Sequence, residues 1–172
     1  KYSWVGSGTY IEDTAGRVET REVRGEVAIE FQSSDRISAR YTGSYEFLPR
    51  PFRIAPDVVI PIGGYSFGSL DVGMNFGQHR PVYGSVSVQH GTFFDGNRTT
   101  LSFRQGRVAV TPKLSLEPSF SINRVDLPVG SFTANLVGTR VTYTMTPLMF
   151  VSALVQYNSS GETVGANVRL RW

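Results

Sequence analysis

The chain has 172 residues and a net charge of +3, with a hydrophobic fraction of 40%, so its length predicts a single domain spanning 1–172. It contains no cysteine, which excludes a disulfide scaffold and a cysteine-ligated metal site. No run approaches the roughly 18 apolar residues of a membrane-spanning helix. The basic residues are scattered, whereas nucleic-acid binding needs a clustered basic face, so nucleic acid is not an expected partner.

Alternation of apolar and polar residues with a period of two recurs along the chain, separated by turn residues, and predicts about ten antiparallel strands. The predicted strands are 2–13, 18–32, 36–47, 64–77, 82–94, 98–110, 113–124, 131–145, 148–158 and 162–172. The last one alternates most cleanly, with an apolar residue at every second position from Val164 to Trp172. A helical period would mix the two sets, so this segment is a strand.

Two predicted strands change phase part-way along. Leu101 and Phe103 are out of step with Val108, and Phe132 is out of step with Val141. A β-bulge inserts one residue and restores the phase, so we expect one bulge near Gly106 and another near Gly138.

The breaks between strands fall into two alternating groups. The breaks at 33–35, 78–81, 111–112 and 146–147 are tight and rich in proline and polar residues, whereas those at 48–63, 95–98, 125–130 and 159–162 are mostly longer. Short turns at one end and longer loops at the other are typical of a bacterial outer-membrane barrel. In such a barrel both ends of this chain would be periplasmic.

Alternation alone does not separate a membrane barrel from a soluble ligand-binding barrel, which has its apolar face inside. The chain has only two lysines, and its polar face is built mainly from small residues with charges of both signs, which favours a lumen over a water-facing surface. The candidate lumen-lining residues are Glu26, Glu30, Arg40, Asp71, Arg104, Glu117, Arg140, Arg169 and Arg171.

Aromatic residues gather near both ends of the predicted strands, as in the two interfacial girdles of a membrane barrel. Near the tight turns the lipid-facing girdle candidates are Trp4, Phe76, Tyr143 and Trp172. The loop-side band comprises Tyr10, Tyr45, Phe47, Tyr65, Phe67, Phe94 and Phe132.

An ordered set of short motifs carries a resemblance to a known family. The motifs are GRVETR at 16–21, SDR at 34–36, YEFLPRPF at 45–52, IPIGGY at 60–65, LPVGSF at 127–132, TPLMFV at 146–151, QYN at 156–158 and NVRLRW at 167–172. In that order they resemble the C-terminal β-barrel region of a bacterial outer-membrane family of unknown function. Members of that family usually carry an N-terminal domain similar to the family 9 carbohydrate-binding modules. The resemblance implies a saccharide-related role for a longer protein of which this chain would be a fragment.

No motif of a hydrolase, metalloprotease or nucleotide-binding protein is present, so we expect no catalytic residue, no cofactor and no metal. The acidic residues Glu12, Asp13, Glu19 and Glu22 are interpreted as a solvated loop region, with cation binding as the alternative. The loop-side arginines Arg50, Arg53, Arg98 and Arg124 suit lipopolysaccharide phosphates, and ordinary solvated arginines are the alternative.

Together these observations predict an all-β, antiparallel transmembrane β-barrel of about ten strands, or a fragment of a larger barrel. The expected role is a membrane anchor or porin-like pore, linked through the resemblance to saccharide binding or uptake by a domain outside this chain. The expected partners are outer-membrane lipid, lipopolysaccharide and the barrel-assembly machinery, which recognises a terminal aromatic strand. Three alternatives are an outer-membrane hydrolase with loop-side active residues, a scaffold or trimmed barrel without activity, and a soluble barrel.

Overall fold

The computed structural model describes residues 1–12, 14, 16 and 18–172, and within them the chain is all-β, without a helix. The predicted end of the first strand at Asp13 lies outside the described residues, as does that member of the acidic group. The strands are β1 (Tyr2–Glu12), β2 (Val18–Glu30), β3 (Arg36–Leu48), β4 (Phe52–Ala55), β5 (Val58–Ile60), β6 (Gly63–Asn75), β7 (Val82–Phe93), β8 (Gly96–Ala109), β9 (Leu114–Leu127), β10 (Gly130–Thr146), β11 (Met149–Asn158) and β12 (Thr163–Arg171).

Ten of these strands form one antiparallel sheet in the order β1-β2-β3-β6-β7-β8-β9-β10-β11-β12, and each corresponds to one predicted strand. Every strand therefore pairs with the next strand of this sheet along the chain, as in a meander. Among the described residues β1 and β12 are not paired with each other, so the sheet is not closed. The all-β antiparallel class is confirmed, and a closed barrel remains a prediction.

The remaining two strands, β4 and β5, pair as a small hairpin inside the segment 48–63 that was predicted to be a loop. Two other connections at that end are shorter than predicted, while the one between β11 and β12 spans 159–162, as predicted. Phe94 and Asp95 alone join β7 to β8, and Pro128 and Val129 alone join β9 to β10. The predicted contrast between short turns and long loops therefore rests on the segment that carries the hairpin.

The bulge predicted near Gly106 is confirmed. Phe103 is opposite Phe120 and Val108 is opposite Leu116, so β8 holds one more residue than β9 across this interval. Within it Gln105 has a positive φ of 52°, which turns the strand locally.

The bulge predicted near Gly138 is wrong, because β10 pairs with β9 in one continuous register from Gly130 to Tyr143. Phe132 and Leu136 therefore share a face with Arg140 instead of moving to the other side. The apolar pattern changes phase here because the two ends of this face have different surroundings, as described below.

Few apolar side chains are removed from solvent. In the described residues six hydrophobic residues are buried, whereas more than 30 large hydrophobic residues are exposed. A water-soluble domain of this length buries most of its apolar surface in a core. The principal buried cluster is small, consists of Leu48, Val58, Ile60 and Tyr65, and lies where the β4–β5 hairpin meets the ends of the long strands.

Truncation of Ile60, which is 2% exposed, tests whether this cluster holds the hairpin in place. We expect Ile60→Ala to destabilise the hairpin by about 2–5 kcal/mol, because it leaves a cavity among packed side chains. Trypsin cleavage after Arg53 should then accelerate in the folded protein, since the hairpin opens more often. The matched control is Val59→Ala, which alters an exposed neighbour on the same strand. Equal cleavage rates in the two variants would contradict the assignment.

Candidate functional site: the polar face of the sheet

The antiparallel register places all nine candidate lumen-lining residues on one face of the ten-stranded sheet. Glu26 is opposite Arg40, which in turn is opposite Asp71. Further along the sheet, Glu117 is opposite Arg140. The positions of the other members follow from the pairs Glu30–Arg36, Ser85–Arg104, Ser152–Arg169 and Phe150–Arg171. We call this side the polar face; its role as a lumen remains a prediction.

Ion pairs connect neighbouring strands across the polar face. The Glu26 carboxylate accepts hydrogen bonds from Arg36 at 2.8 Å and from Arg40 at 2.6 Å, so one acid on β2 holds two arginines of β3. Glu26 is only 17% exposed, which shields these pairs from solvent better than ordinary surface pairs. Glu117 and Arg140 are 3.6 Å apart, a looser pairing.

Uncharged side chains add hydrogen bonds between the same strands. Ser87 and Ser102 hydroxyl oxygens lie 2.9 Å apart, and the Thr100 hydroxyl donates to the Asn123 amide oxygen at 2.9 Å. Small hydroxyl and amide groups thus satisfy one another across β7, β8 and β9. Such pairing satisfies polar groups that are partly removed from solvent.

The polar face is concave. A cavity of about 600 Å³ is lined together by polar-face residues of β2, β3, β6, β7 and β8, which is geometrically feasible only if the sheet curls towards that side. Its lining includes the charged residues Glu22, Arg24, Arg40, Glu46, Asp71, Arg98 and Arg104. The exposed apolar face is consequently convex.

Arg98 lines this cavity. It was grouped with Arg50, Arg53 and Arg124 as a loop-side arginine suited to lipopolysaccharide phosphates, which would require it to point away from the cavity. Its guanidinium carbon lies 4.6 Å from the centre of the Phe93 ring, a cation–π contact. The strand parity explains the difference: Arg98 is opposite Gly91 and Val125 on the polar face, whereas Arg124 is opposite Thr99 on the convex face.

An apolar cluster lies at one end of the polar face, where the β4–β5 hairpin packs against the ends of the long strands. Besides its four buried residues it includes Ile54, Ala55, Phe67, Phe94, Leu127 and Phe132. We call this set the mouth cluster. Tyr65, Phe67, Phe94 and Phe132 were expected in an outward-facing aromatic band, and that prediction is wrong, because the hairpin folds back and offers them an apolar partner.

Phe94 shows how firmly the mouth cluster is fixed. Its φ of 51° is unfavourable for a bulky residue, and a strained backbone persists only where surrounding contacts determine it. Its ring meets Tyr65 edge-on at 5.0 Å and Phe67 edge-on at 5.2 Å. These contacts join the beginning of β6 to the β7–β8 turn.

The convex face carries most of the exposed apolar side chains of the long strands. Val164 is 70% exposed, and Leu170 on the same strand is 50% exposed. Two of the four girdle candidates share this face, because Trp4 is opposite Val27 and Tyr143 is opposite Leu114.

The other two girdle candidates lie beyond strand ends. Trp172 follows β12 and is exposed. Phe76 follows β6, is half-buried, and lines a pocket together with Glu30 and Arg36 of the polar face. No pattern in the sequence indicates that this aromatic residue lies beside polar-face residues.

At the end opposite the mouth cluster, Asp35 organises the turn between β2 and β3. Its carboxylate accepts hydrogen bonds from the Gly77 amide at 2.8 Å, the Ser33 hydroxyl at 2.9 Å and Arg80 at 2.5 Å. These bonds lower the pKa of Asp35, the Gly77 amide contributing most and Arg80 adding charge attraction. The β2–β3 turn is thereby fastened to the β6–β7 turn, a role that sequence inspection missed because the partners are more than 40 residues apart.

No group of three or more histidine, aspartate or glutamate side chains in the described part of the chain is placed to hold a metal ion. The two histidines are separate: His79 belongs to the β6–β7 turn, while His90 is hydrogen-bonded to Thr99 at 2.8 Å on the convex face. No described helix has the length and hydropathy needed to cross a membrane.

Comparisons with protein-family models, with curated proteins and with solved structures find no match to this chain. The inferences below therefore rest on its residues and geometry.

The lowered pKa of Asp35 predicts how acid affects the turns. The carboxylate is bonded only when ionised, so its contribution to stability is complete above the ordinary pKa of 3.8 and is lost as the pH falls through the lower folded value. Hydrogen exchange at the Gly77 amide should therefore accelerate relative to the sheet amides in that acid range. In Asp35→Asn the exchange should be fast already at neutral pH and lack this acid step.

The control for this measurement is Asp57→Asn, which changes an exposed carboxylate at the tip of the β4–β5 hairpin. It should leave both the exchange rate of Gly77 and its acid dependence unchanged. An acid step that persists in Asp35→Asn would show that another group fastens the two turns.

Proposed function

We propose that this chain forms a membrane-spanning β-sheet wall of the bacterial outer-membrane type, with its convex face in hydrocarbon and its polar face lining a lumen. The polar face holds a cavity of about 600 Å³, which favours a porin-like pore over a purely structural anchor. A role in saccharide binding or uptake rests on the family resemblance alone and belongs to the longer protein.

The observation that carries the proposal is the inverted placement of apolar and polar side chains. The convex face exposes residues in the middle of the sheet such as Leu70 of β6, which is 50% exposed, while the polar face opposite holds ion pairs such as that of Glu26 with Arg40. A soluble barrel places its apolar side chains inside and its charges in water. Here the two are exchanged, as in a membrane barrel.

The height of the apolar band fits a bilayer. On β9 the convex face is apolar from Leu114 to Ile122, eight residue steps of about 3.4 Å, or about 27 Å along the strand. An outer-membrane barrel has an apolar band about 25 Å tall, and strand tilt shortens the projected height further.

The band ends where the two faces exchange character. Beyond Ile122 the convex side of β9 presents Arg124 and Asp126, which form an exposed ion pair at 3.1 Å. On the opposite side of the same strand, Val125 is buried at 3% exposure and Leu127 joins the mouth cluster. This end of β9 thus has apolar residues inside and charges outside, as expected above a membrane surface, in water.

This orientation would place one end of the sheet on the outer side of the membrane and the other end in the periplasm. The mouth cluster would lie on the outer side, near lipopolysaccharide, where the convex arginine Arg124 meets phosphate groups. The chain ends would be periplasmic, because Tyr2 pairs beside the β2–β3 turn and Arg171 pairs beside the β10–β11 turn.

Within hydrocarbon, the unpaired edges of β1 and β12 need partners, since unsatisfied backbone groups are costly there. The proposal therefore requires each edge to pair with the other, with further strands, or with another copy of the chain.

Cysteine accessibility along β12 tests the proposal, and the chain has no native cysteine to interfere. In lipid vesicles, Val164→Cys, Ala166→Cys and Val168→Cys should resist a membrane-impermeant thiol reagent, because hydrocarbon covers them. Gly165→Cys and Asn167→Cys, on the polar face of the same strand, should react. In denaturant that unfolds the protein, all five variants should react at similar rates, which controls for the intrinsic reactivity of each cysteine. Rapid labelling of the Val168→Cys variant in folded vesicle samples would refute the proposed orientation.

A further inference from the structure

Three arginines stand in a row on the polar face of β8: Arg98, Arg104 and Arg107, which we call the arginine ladder. Arg98 and Arg104 line the cavity beneath the mouth cluster. Arg107 follows the bulge and lines a second pocket with Glu117 and Arg140. Arg98 and Arg104 are six residues apart, which corresponds to about 20 Å along the strand. Arg107 lies further along β8, on the other side of Gln105 and Gly106.

Within the described residues no acid pairs with the ladder, although Glu22, Glu46 and Asp71 line the same cavity as Arg98 and Arg104. None of its members has a carboxylate oxygen within 4.0 Å in the part of the chain that the structure describes. The adjacent polar-face residues of β7 are uncharged, since Arg104 is opposite Ser85 and Arg107 is opposite Tyr83. On β9 the one polar-face acid, Glu117, is paired with Arg140.

Charge is also divided unevenly across the polar face. The strands β2, β3 and β6 present five acids and three arginines, a net charge of −2, and each of those arginines is paired with Glu22 or Glu26. The strands β8 to β12 present six arginines and one acid, a net charge of +5. Arg169 and Arg171, on the edge strand β12, add further positive charge to the same part of the polar face.

We propose that the arginine ladder makes the lumen selective for anions, so that the solutes of this pore are small anionic molecules. This inference rests on the proposed function, because it requires the polar face to enclose a conducting lumen. Uncompensated guanidinium groups in a space with low-dielectric walls raise the local concentration of anions and repel cations. Arg98, stacked on Phe93, fixes the upper end of the ladder, while the exposed Arg104 and Arg107 face the solute path.

The test is the reversal potential of the reconstituted protein in a planar bilayer under a KCl gradient. The unmodified protein should prefer chloride to potassium, and Arg104→Gln/Arg107→Gln should lower the chloride-to-potassium permeability ratio by roughly threefold or more. Arg104→Glu/Arg107→Glu should bring the preference to potassium. The matched control, Arg21→Gln/Arg124→Gln, removes the same charge from the convex face and should leave the ratio unchanged.

The outcomes separate the two proposals. A potassium preference in the unmodified protein, or a ratio that the ladder substitutions do not change, overturns the ladder's role while leaving a membrane pore in place. Equal effects of the ladder and control substitutions overturn it as well, since net charge alone would then set the preference. Protein that fails to insert, with every convex-face cysteine accessible, overturns the proposed function and the inference together. Protein that inserts correctly but conducts nothing is an anchor, which overturns the pore and the ladder's selectivity.

Discussion

The structure depends on one constraint: side chains of a β-strand alternate between two faces, and the antiparallel register keeps each face continuous from strand to strand. Across the described sheet the polar residues of one strand meet polar residues of the next, from Glu26 through Arg40 to Asp71. A slip of one residue in any pair would place charges among the exposed apolar side chains. The ion pairs and hydroxyl contacts of the polar face therefore also fix the register.

The mouth cluster distinguishes one end of the sheet from the other, because the polar and apolar character of the two faces is reversed there. Along most of its length the sheet has polar residues on the concave side, but at the hairpin end the concave side becomes apolar, with Val125 and Ile60 buried. The convex side becomes polar at the same level, with Arg124 paired to Asp126. A single strand that changes character on both faces at once indicates two different surroundings along its length. The membrane placement proposed above would account for both changes as a passage from hydrocarbon to water.

The sequence predicted the strands well because period-two alternation is a local signal. All ten long strands, the nine polar-face positions and the bulge near Gly106 follow from it. The prediction failed where the surroundings of a face change along a strand. The phase change in β10 suggested a bulge near Gly138, whereas the strand keeps one register with β9 there and Phe132 packs in the mouth cluster.

The remaining features depend on contacts between distant residues and have no local signature. The β4–β5 hairpin is short and flanked by prolines, so alternation cannot be seen within it, and its packing against Tyr65 and Phe94 redirects aromatic residues that resembled a membrane girdle. The bonds of Asp35 to Gly77 and Arg80 join two turns, and the arginine ladder emerges only when strand parity on both sides of a bulge is known. Whether the sheet closes depends on partners of its edges, which alternation does not specify.

The most direct test of the central claim is the quenching of the two native tryptophans, Trp4 and Trp172, by brominated lipids in reconstituted vesicles. Both are highly exposed, at 83% and 88%. If the convex face lies in hydrocarbon with these residues at its interfacial edge, lipids brominated near the headgroup should quench them more than lipids brominated near the chain end. Strong quenching by aqueous acrylamide, with none by either lipid, would contradict the account.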